Sequence, residues 1–125
     1  MTKNIIQTPN APAAVGTYSQ GVELNGVFYF SGQIGLDPKT MTLAPNFQGQ
    51  LQQILKNIDG LLESQGLKRT DIFKTTIFMT DLSKFADVNT AYESFFKTPY
   101  PARSTVQVSG LPKGAEIEIE VLAAK

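Results

Sequence analysis

Residues 101–108 read PARSTVQV, and residues 116–121 read EIEIEV. Both segments alternate polar and apolar side chains, which is typical of β-strands that have one covered face. The intervening segment 110–114, GLPKG, has the composition of a turn, so the sequence predicts an antiparallel hairpin. In this hairpin the apolar residues of both strands share one face, namely Val106, Val108, Ile117, Ile119 and Val121.

The opposite face of the predicted hairpin is polar and is the first candidate for a functional site. It would carry Arg103, Thr105, Gln107, Glu116, Glu118 and Glu120. Three carboxylates in a row on one sheet face repel each other, and an ordinary solvated face is the alternative interpretation. Arg103 is one of only two arginines in the chain, and its presence on this face favours a site.

The composition limits the chemistry that the chain can perform. Its 125 residues, 42% of them hydrophobic, fit one domain that spans residues 1–125 and has its own core. The sequence contains no histidine and no cysteine, which excludes histidine-dependent triads, thiolate nucleophiles, disulfides and zinc knuckles. Any proton transfer then falls to Asp, Glu, Tyr, Lys, a hydroxyl group or bound water. We expect neither a metal nor an organic cofactor.

The charge balance bears on the partners of the protein. Eleven basic residues offset eleven acidic residues, so the formal net charge is zero and a nucleic-acid partner is not expected. No segment approaches the ~20 apolar residues of a membrane span, and no apolar signal segment follows the first residues. We therefore expect a soluble, cytoplasmic protein without a membrane partner. The low charged fraction, 18%, is compatible with an oligomer.

The remaining patterns predict six strands and two helices in the order β-β-β-α-β-α-β-β. Four further strands fall at residues 4–7, 22–24, 27–31 and 72–80. The Asn25-Gly26 pair between the second and third of these is a strong hairpin signal.

The two helices are predicted from apolar stripes of helical period. The first begins at Phe47 and has Gly66 at the position of a C-cap, and its stripe is Phe47, Leu51, Ile54, Leu55, Ile58, Leu61 and Leu62. Asp81 or Ser83 can cap the second helix, which Pro99 and Pro101 stop. The stripe of this helix is Phe85, Val88, Tyr92, Phe95 and Phe96.

Two helices of this length cover only one face of the sheet. We expect Phe73, Ile77 and Met79, or their neighbours, to be poorly covered in a single chain. A closed homo-oligomer that packs the sheets against one another would cover them.

Several motifs occur in an order and spacing that resemble the RidA (YjgF, L-PSP) family over essentially the whole chain. They are the segments 10–12, 16–21, 31–34, 88–92, 101–104, 111–114 and 117–120. The resemblance implies a chorismate-mutase-like α+β fold, in which a six-stranded mixed sheet has two helices on one face. It also implies a homotrimer with active sites in the clefts between subunits.

The resemblance further implies a hydrolytic deaminase. Family members with the arginine convert reactive 2-imino and enamine acids, such as 2-iminobutanoate and 2-iminopropanoate, to 2-keto acids and ammonia. These imines are released by pyridoxal-phosphate enzymes. Arg103 matches the anchor for the substrate carboxylate, and Glu118 matches the acidic residue near the reacting carbon. The matching pocket residues are Tyr18, Ser31 and Asn89, with Gly32 beside them and its backbone close to the ligand.

Two positions depart from the family pattern. Thr105 stands where many members have cysteine, in a site credited with backbone contacts, so hydrolysis should persist without thiol reactivity. The connection 97–100 is about three residues shorter than in many relatives and borders the cleft, so the preferred side chain of the substrate stays open.

The residue types suit imine hydrolysis. A guanidinium binds a carboxylate through two parallel hydrogen bonds and so fixes which carbon faces the attacking water. Without histidine, a carboxylate is the natural base for that water. Glu118 lies between Glu116 and Glu120 in the sequence, and these like charges should raise its pKa.

Two other functions compete with the deaminase. The first is a non-catalytic regulator that binds keto or amino acids, since such a sensor needs the same Arg103 anchor. The second is an endoribonuclease or translation inhibitor, as some relatives are described. Zero net charge, scattered lysines and the lack of histidine argue against this second role.

Overall fold

The strands and helices of the chain occur in the predicted order in the computed structural model, which describes residues 2–125. The strands are β1 (Asn4–Ile6), β2 (Gly21–Leu24), β3 (Val27–Phe30), β4 (Ile72–Met79), β5 (Ala102–Gln107) and β6 (Ile117–Ala124). The helices are α1 (Phe47–Ser64) and α2 (Phe85–Phe95).

The strands form one six-stranded mixed sheet, as predicted. Their order across the sheet is β1-β2-β3-β6-β4-β5. Neighbouring strands are antiparallel except for β4 and β5, which are parallel. A parallel pair needs a crossover connection, and α2 supplies it between these two strands.

The hairpin β2–β3 forms around the predicted Asn25-Gly26 turn. Both turn residues have positive φ, 52° for Asn25 and 82° for Gly26. A two-residue turn with this backbone matches the right-handed twist of the paired strands, and asparagine followed by glycine tolerates it best. Local turn chemistry therefore sets the register of β2 on β3.

Helix α1 has the predicted beginning, end and buried stripe. The Asn46 side chain accepts a hydrogen bond from the Gly49 backbone N–H at 2.8 Å and caps the first turn. At the other end, the Leu67 N–H donates to the Leu62 carbonyl in a Schellman arrangement around Gly66. All seven residues of the predicted stripe are buried.

Helix α2 is preceded by a short 3-10 helix, Leu82–Lys84. The Asp81 side chain caps this short helix by accepting from the Ser83 N–H, and α2 follows directly without a side-chain cap of its own. Val88, Tyr92, Phe95 and Phe96 of the predicted stripe are buried and Phe85 is half-buried.

The predicted antiparallel hairpin between β5 and β6 is wrong. β5 pairs only with β4, at the edge of the sheet, whereas β6 lies between β3 and β4. Alternation of side chains reports which face of a strand is covered, but it carries no information about which strand lies beside it. The segment between the strands, which includes the short 3-10 helix Pro112–Gly114, leads the chain from the edge to the centre of the sheet.

The predicted polar face is wrong for the same reason. In the register of the sheet, Arg103 is opposite Thr75 of β4, and Glu118 is opposite Phe78. Because successive residues of a strand point to opposite faces, Arg103 and Glu118 lie on opposite faces of the sheet. Arg103, Thr105 and Gln107 share the face that packs against the helices, and Glu118 and Glu120 lie on the other face, called the open face below.

None of the helices described within residues 2–125 lies over the open face. Alternate residues of β6 are buried on the helix side and half-exposed on the open side. Ile77 and Met79 were expected to be poorly covered, but both are fully buried in the core beneath the helices. Phe73 is exposed as expected, and the exposed apolar residues of the open face are Ile5, Tyr29 and Val106. None of the helices within residues 2–125 is long and apolar enough to cross a membrane.

Candidate active site

Arg103 lies on the edge strand β5 with its side chain against α2. Its Nη1 donates a hydrogen bond to Asn89 Oδ1 at 2.8 Å. The central carbon of the guanidinium is 4.8 Å from the centre of the Phe85 ring and 5.6 Å from that of Tyr92. A single helix thus supplies all three contacts.

A cavity of ≈ 430 Å³ opens beside this guanidinium. We call it the arginine cavity, and its lining is Asn89, Tyr92, Glu93, Tyr100, Pro101 and Arg103. Asn89 accepts from one of the five N–H groups of the guanidinium, and the others suit a bidentate contact with a carboxylate. The cavity therefore has the chemistry of a site for a small carboxylic acid.

Tyr92 forms part of the floor of this cavity. Burial raises the pKa of its hydroxyl to about 12, although the nearby Thr75 hydroxyl and the Arg103 charge act in the opposite direction. The Tyr92 and Thr75 hydroxyls are both buried and do not reach hydrogen-bond geometry with each other or with another group of residues 2–125. Tyr92 therefore stays protonated at neutral pH and is not a general base.

Glu118 lies on the open face with its carboxylate against Gly32. A Cβ atom built at position 32 would be 2.2 Å from Glu118 Oε2, so only glycine leaves room for the carboxylate in this position. Gly32, Glu118, Tyr18 and Lys113 are among the residues that line a second cavity, of ≈ 380 Å³, called the glutamate cavity below.

The pKa of Glu118 is raised, as the sequence predicted, but the main cause differs. Burial of the carboxyl group contributes most, and the charge of Glu120 adds to it. Glu116 was expected to contribute as well. Its carboxylate is instead paired with Lys84 Nζ at 2.7 Å, at the beginning of α2.

Tyr18 and Ser31 lie near the glutamate cavity. Tyr18 is exposed and borders this cavity as well as a neighbouring one, which Ser31 and Glu120 also line. The Ser31 hydroxyl donates to the Ser19 carbonyl at 2.6 Å. This bond holds the loop that carries Tyr18 against the end of β3.

Within one chain, the seven sequence-predicted site residues fall into two groups on opposite faces of the sheet. Arg103 and Asn89 form the first group, and Thr105 is half-buried on the same face without lining the arginine cavity. The second group, around the glutamate cavity, consists of Tyr18, Ser31, Gly32 and Glu118. The two residues predicted to be catalytic, Arg103 and Glu118, therefore lie in different groups.

Sequence reasoning did not assign to a site several residues that contact the Arg103 guanidinium or line the arginine cavity. Phe85 and Tyr92 were interpreted as core residues, whereas Glu93 and Tyr100 were not singled out individually. A signal was present in the spacing of Phe85, Asn89 and Tyr92, since a polar residue interrupts an apolar stripe at positions that share one helix face.

Known proteins similar to this chain were found by sequence and by structure. The family described as Endoribonuclease L-PSP matches residues 8–125. A RutC family protein of Aquifex aeolicus is 52% identical over 122 residues, which cover 96% of this chain and 98% of that protein. A 2-iminobutanoate/2-iminopropanoate deaminase of Salmonella typhimurium is 49% identical over 123 residues, which cover 96% of each protein. A crystal structure of a Rid family protein from Yersinia pestis superposes with a TM-score of 0.96 and 48% identity, covering 99% of this chain and 100% of that one.

Proposed function

The chain belongs to the endoribonuclease L-PSP family, which its motifs identified under the names RidA and YjgF, and we propose that it is a hydrolytic deaminase of reactive 2-imino and enamine acids. Its products are 2-keto acids and ammonia. The observation that carries the proposal is the position of Arg103, which lies beside a cavity suited to a small carboxylic acid. In support, the chain is 49% identical to a 2-iminobutanoate/2-iminopropanoate deaminase. The reaction requires neither a metal nor an organic cofactor.

Arg103 anchors the substrate. A 2-imino acid carries a carboxylate directly beside the electrophilic carbon of its C=N bond. Two parallel hydrogen bonds from the guanidinium hold that carboxylate and orient the neighbouring carbon toward the attacking water. Asn89 fixes the far side of the guanidinium through its hydrogen bond to Nη1.

Glu118 is the proposed base. It accepts a proton from the water as the oxygen adds to the imine carbon and passes that proton to the imine nitrogen, which gives a carbinolamine. It then accepts the proton of the new hydroxyl group and passes it to the amine, so that the C–N bond breaks, ammonia leaves and the carbonyl forms. A raised pKa, caused by burial and by Glu120, brings this carboxyl group closer to the pH at which both transfers must occur. Gly32 leaves room for the carboxylate, and Tyr18 and Ser31 complete the rim of the cleft. Thr105 contributes backbone contacts.

The two halves of this site belong to different subunits of a homotrimer. Arg103 and Glu118 of one chain lie on opposite faces of its sheet, so they cannot act on one small substrate unless neighbouring chains bring them together. The open face, with Ile5, Tyr29 and Val106 exposed, supports such packing. A cytoplasmic location is part of the same proposal.

A coupled assay tests the activity. A threonine dehydratase generates 2-iminobutanoate, and the release of 2-ketobutyrate is followed against the spontaneous hydrolysis of the imine. We expect the protein to accelerate release, and no acceleration would refute the proposal. Glu118→Gln separates an enzyme from a sensor, because it should lose turnover and still bind 2-ketobutyrate in calorimetry.

Ribonuclease activity, which the family description names, finds little support in this chain. The formal net charge is zero, histidine is absent, and the arginine cavity carries the carboxylate of Glu93 beside its one arginine. Any RNA cleavage by a preparation should therefore separate from the protein on further purification. Cleavage that co-purifies quantitatively and disappears in a stable Arg103→Ala variant would contradict this.

A further inference from the structure

Both arginines of the chain lie over aromatic rings of α2. The guanidinium carbon of Arg69 is 3.9 Å from the centre of the Phe95 ring. That of Arg103 is near two rings, those of Phe85 and Tyr92. Arg69 also forms a salt bridge with Asp59, whereas Asn89, a neutral amide, is the hydrogen-bond partner found for Arg103. The guanidinium at the candidate active site thus depends more on its aromatic neighbours.

These neighbours form one stripe on α2. Phe85, Asn89 and Tyr92 follow each other at intervals of four and three residues, so their side chains project from the same face of the helix. The amide of Asn89 holds one guanidinium nitrogen, and the aromatic residues before and after it present their rings to the cation. The stripe contacts the guanidinium at three points.

Three contacts are needed to hold the guanidinium in one orientation because Arg103 lies in an exposed position. Its strand is at the edge of the sheet, and the residue itself is exposed. A single hydrogen bond to Nη1 still allows the guanidinium plane to turn about that bond. Two aromatic faces restrict this rotation, because they attract the flat face of the cation as well as its charge.

We propose that Phe85 and Tyr92 are positioning residues, which fix the plane of the Arg103 guanidinium so that its remaining N–H groups face the arginine cavity. Their effect on catalysis rests on the proposed function, because it passes through the carboxylate that Arg103 binds. Their effect on the order of Arg103 itself does not depend on any reaction.

Nuclear magnetic resonance of the arginine side chains tests the proposal directly. With only two arginines, ¹⁵N-labelled protein gives two Nε–Hε signals, and Arg103→Lys assigns them. We expect the Arg103 signal to report an ordered side chain in the wild type and a mobile one in Phe85→Leu. Phe85→Tyr keeps the aromatic face and should restore order, and the Arg69 signal should stay constant throughout as an internal control.

Tyr92 requires a different pair of variants because its ring is buried. Tyr92→Phe keeps the ring and removes only a hydroxyl that has no hydrogen-bond partner among residues 2–125, so Arg103 should stay ordered. Tyr92→Leu removes the ring and should release Arg103. If Tyr92→Leu does not fold, the half-buried Phe85 still decides the proposal.

Binding and kinetics supply the second readout. Phe85→Leu should weaken 2-ketobutyrate binding about fivefold to tenfold and raise KM for the imine to a similar extent, with a smaller change in kcat. An equally ordered Arg103 in Phe85→Leu and the wild type would overturn the positioning role, whatever the activity. A wild-type protein that neither binds the keto acid nor hydrolyses imines would instead overturn the proposed function, while the loss of order in Phe85→Leu would still support the positioning role.

Discussion

At the scale of single residues, Glu118 is a half-buried carboxyl group beside another carboxylate. Burial and the Glu120 charge both raise its pKa in the folded protein above the ordinary value of 4.5. At pH values between the ordinary and the raised pKa of Glu118, this carboxyl group binds more protons in the folded state than in the unfolded state. Stability therefore falls as the pH rises through this interval, and the full cost of the charged carboxylate is present above it.

Glu118→Gln should consequently stabilise the protein at neutral pH. The amide keeps the size of the side chain and removes the buried charge, so Tm should rise at about pH 7.5 and approach the wild-type value at about pH 4, where the wild-type carboxyl group is protonated. Thermal unfolding at both pH values measures this. An equal shift of Tm at the two values would attribute the effect to packing and contradict the electrostatic explanation.

Glu120→Gln should move the pH dependence of turnover. The proposed base must be deprotonated to accept a proton from water, so activity should fall as the pH drops through the raised pKa of Glu118. Removing the Glu120 charge lowers that pKa, and the acid limb of the kcat profile should shift to lower pH. Glu63→Gln, at an exposed position on α1, is the matched control and should leave the limb in place. An unmoved limb in Glu120→Gln would mean that the two carboxylates are not coupled.

At the scale of the structural elements, the connection after β3 places Gly32 beside the Glu118 carboxylate. Gly32→Ala places a methyl group where the Glu118 carboxylate lies, and the end of that flexible side chain must move. We expect folding to survive and imine hydrolysis to fall by at least about tenfold, since the base is displaced. Steady-state kinetics and circular dichroism together check this.

Alanine substitutions at two other glycines serve as controls for Gly32→Ala. An added Cβ at Gly110 would have no atom of the described residues within 4 Å apart from those of its own residue and its chain neighbours, so Gly110→Ala should leave both activity and folding unchanged. An added Cβ at Gly60 would be 2.1 Å from the Asn10 backbone oxygen, so Gly60→Ala should destabilise the fold. Full activity in Gly32→Ala would contradict the position assigned to the Glu118 carboxylate.

Some features of the strands and helices could be predicted from the sequence, and others could not. The Asn25-Gly26 turn and the stripe of α1 depend on local chemistry, and both were predicted correctly. The partners of β5 and β6 depend on the whole sheet. In the register of that sheet, Arg103 is opposite Thr75 of β4 and Glu118 is opposite Phe78, so the two residues are on opposite faces and not side by side.

The residues of the candidate site also divide into those that the sequence predicted and those that only the structure assigns. The family resemblance singled out Arg103, Glu118 and their polar neighbours before any geometry was known. Phe85 and Tyr92 were interpreted as core residues, because a stripe of helical period looks the same whether it covers a sheet or a guanidinium. Only the position of β5 at the edge beside α2 distinguishes these two roles.

At the scale of the whole molecule, the sheet has helices on one side and an open face on the other. Exposed Ile5, Tyr29 and Val106 on this face predict self-association into the proposed trimer. Light scattering at micromolar concentration should give three times the chain mass of 13.6 kDa. A stable species near 13.6 kDa that still hydrolyses imines would contradict an active site shared between subunits.

The most direct test of a shared site is complementation between two inactive variants. Arg103→Ala and Glu118→Gln should each be inactive alone, and they are co-expressed with different tags so that mixed trimers can be purified. If one chain supplies the arginine and its neighbour the glutamate, one of the three clefts in each purified mixed trimer contains both native residues, and imine hydrolysis should return to about a third of the wild-type rate. Mixed trimers as inactive as their parents, beside an active wild type, would contradict the account.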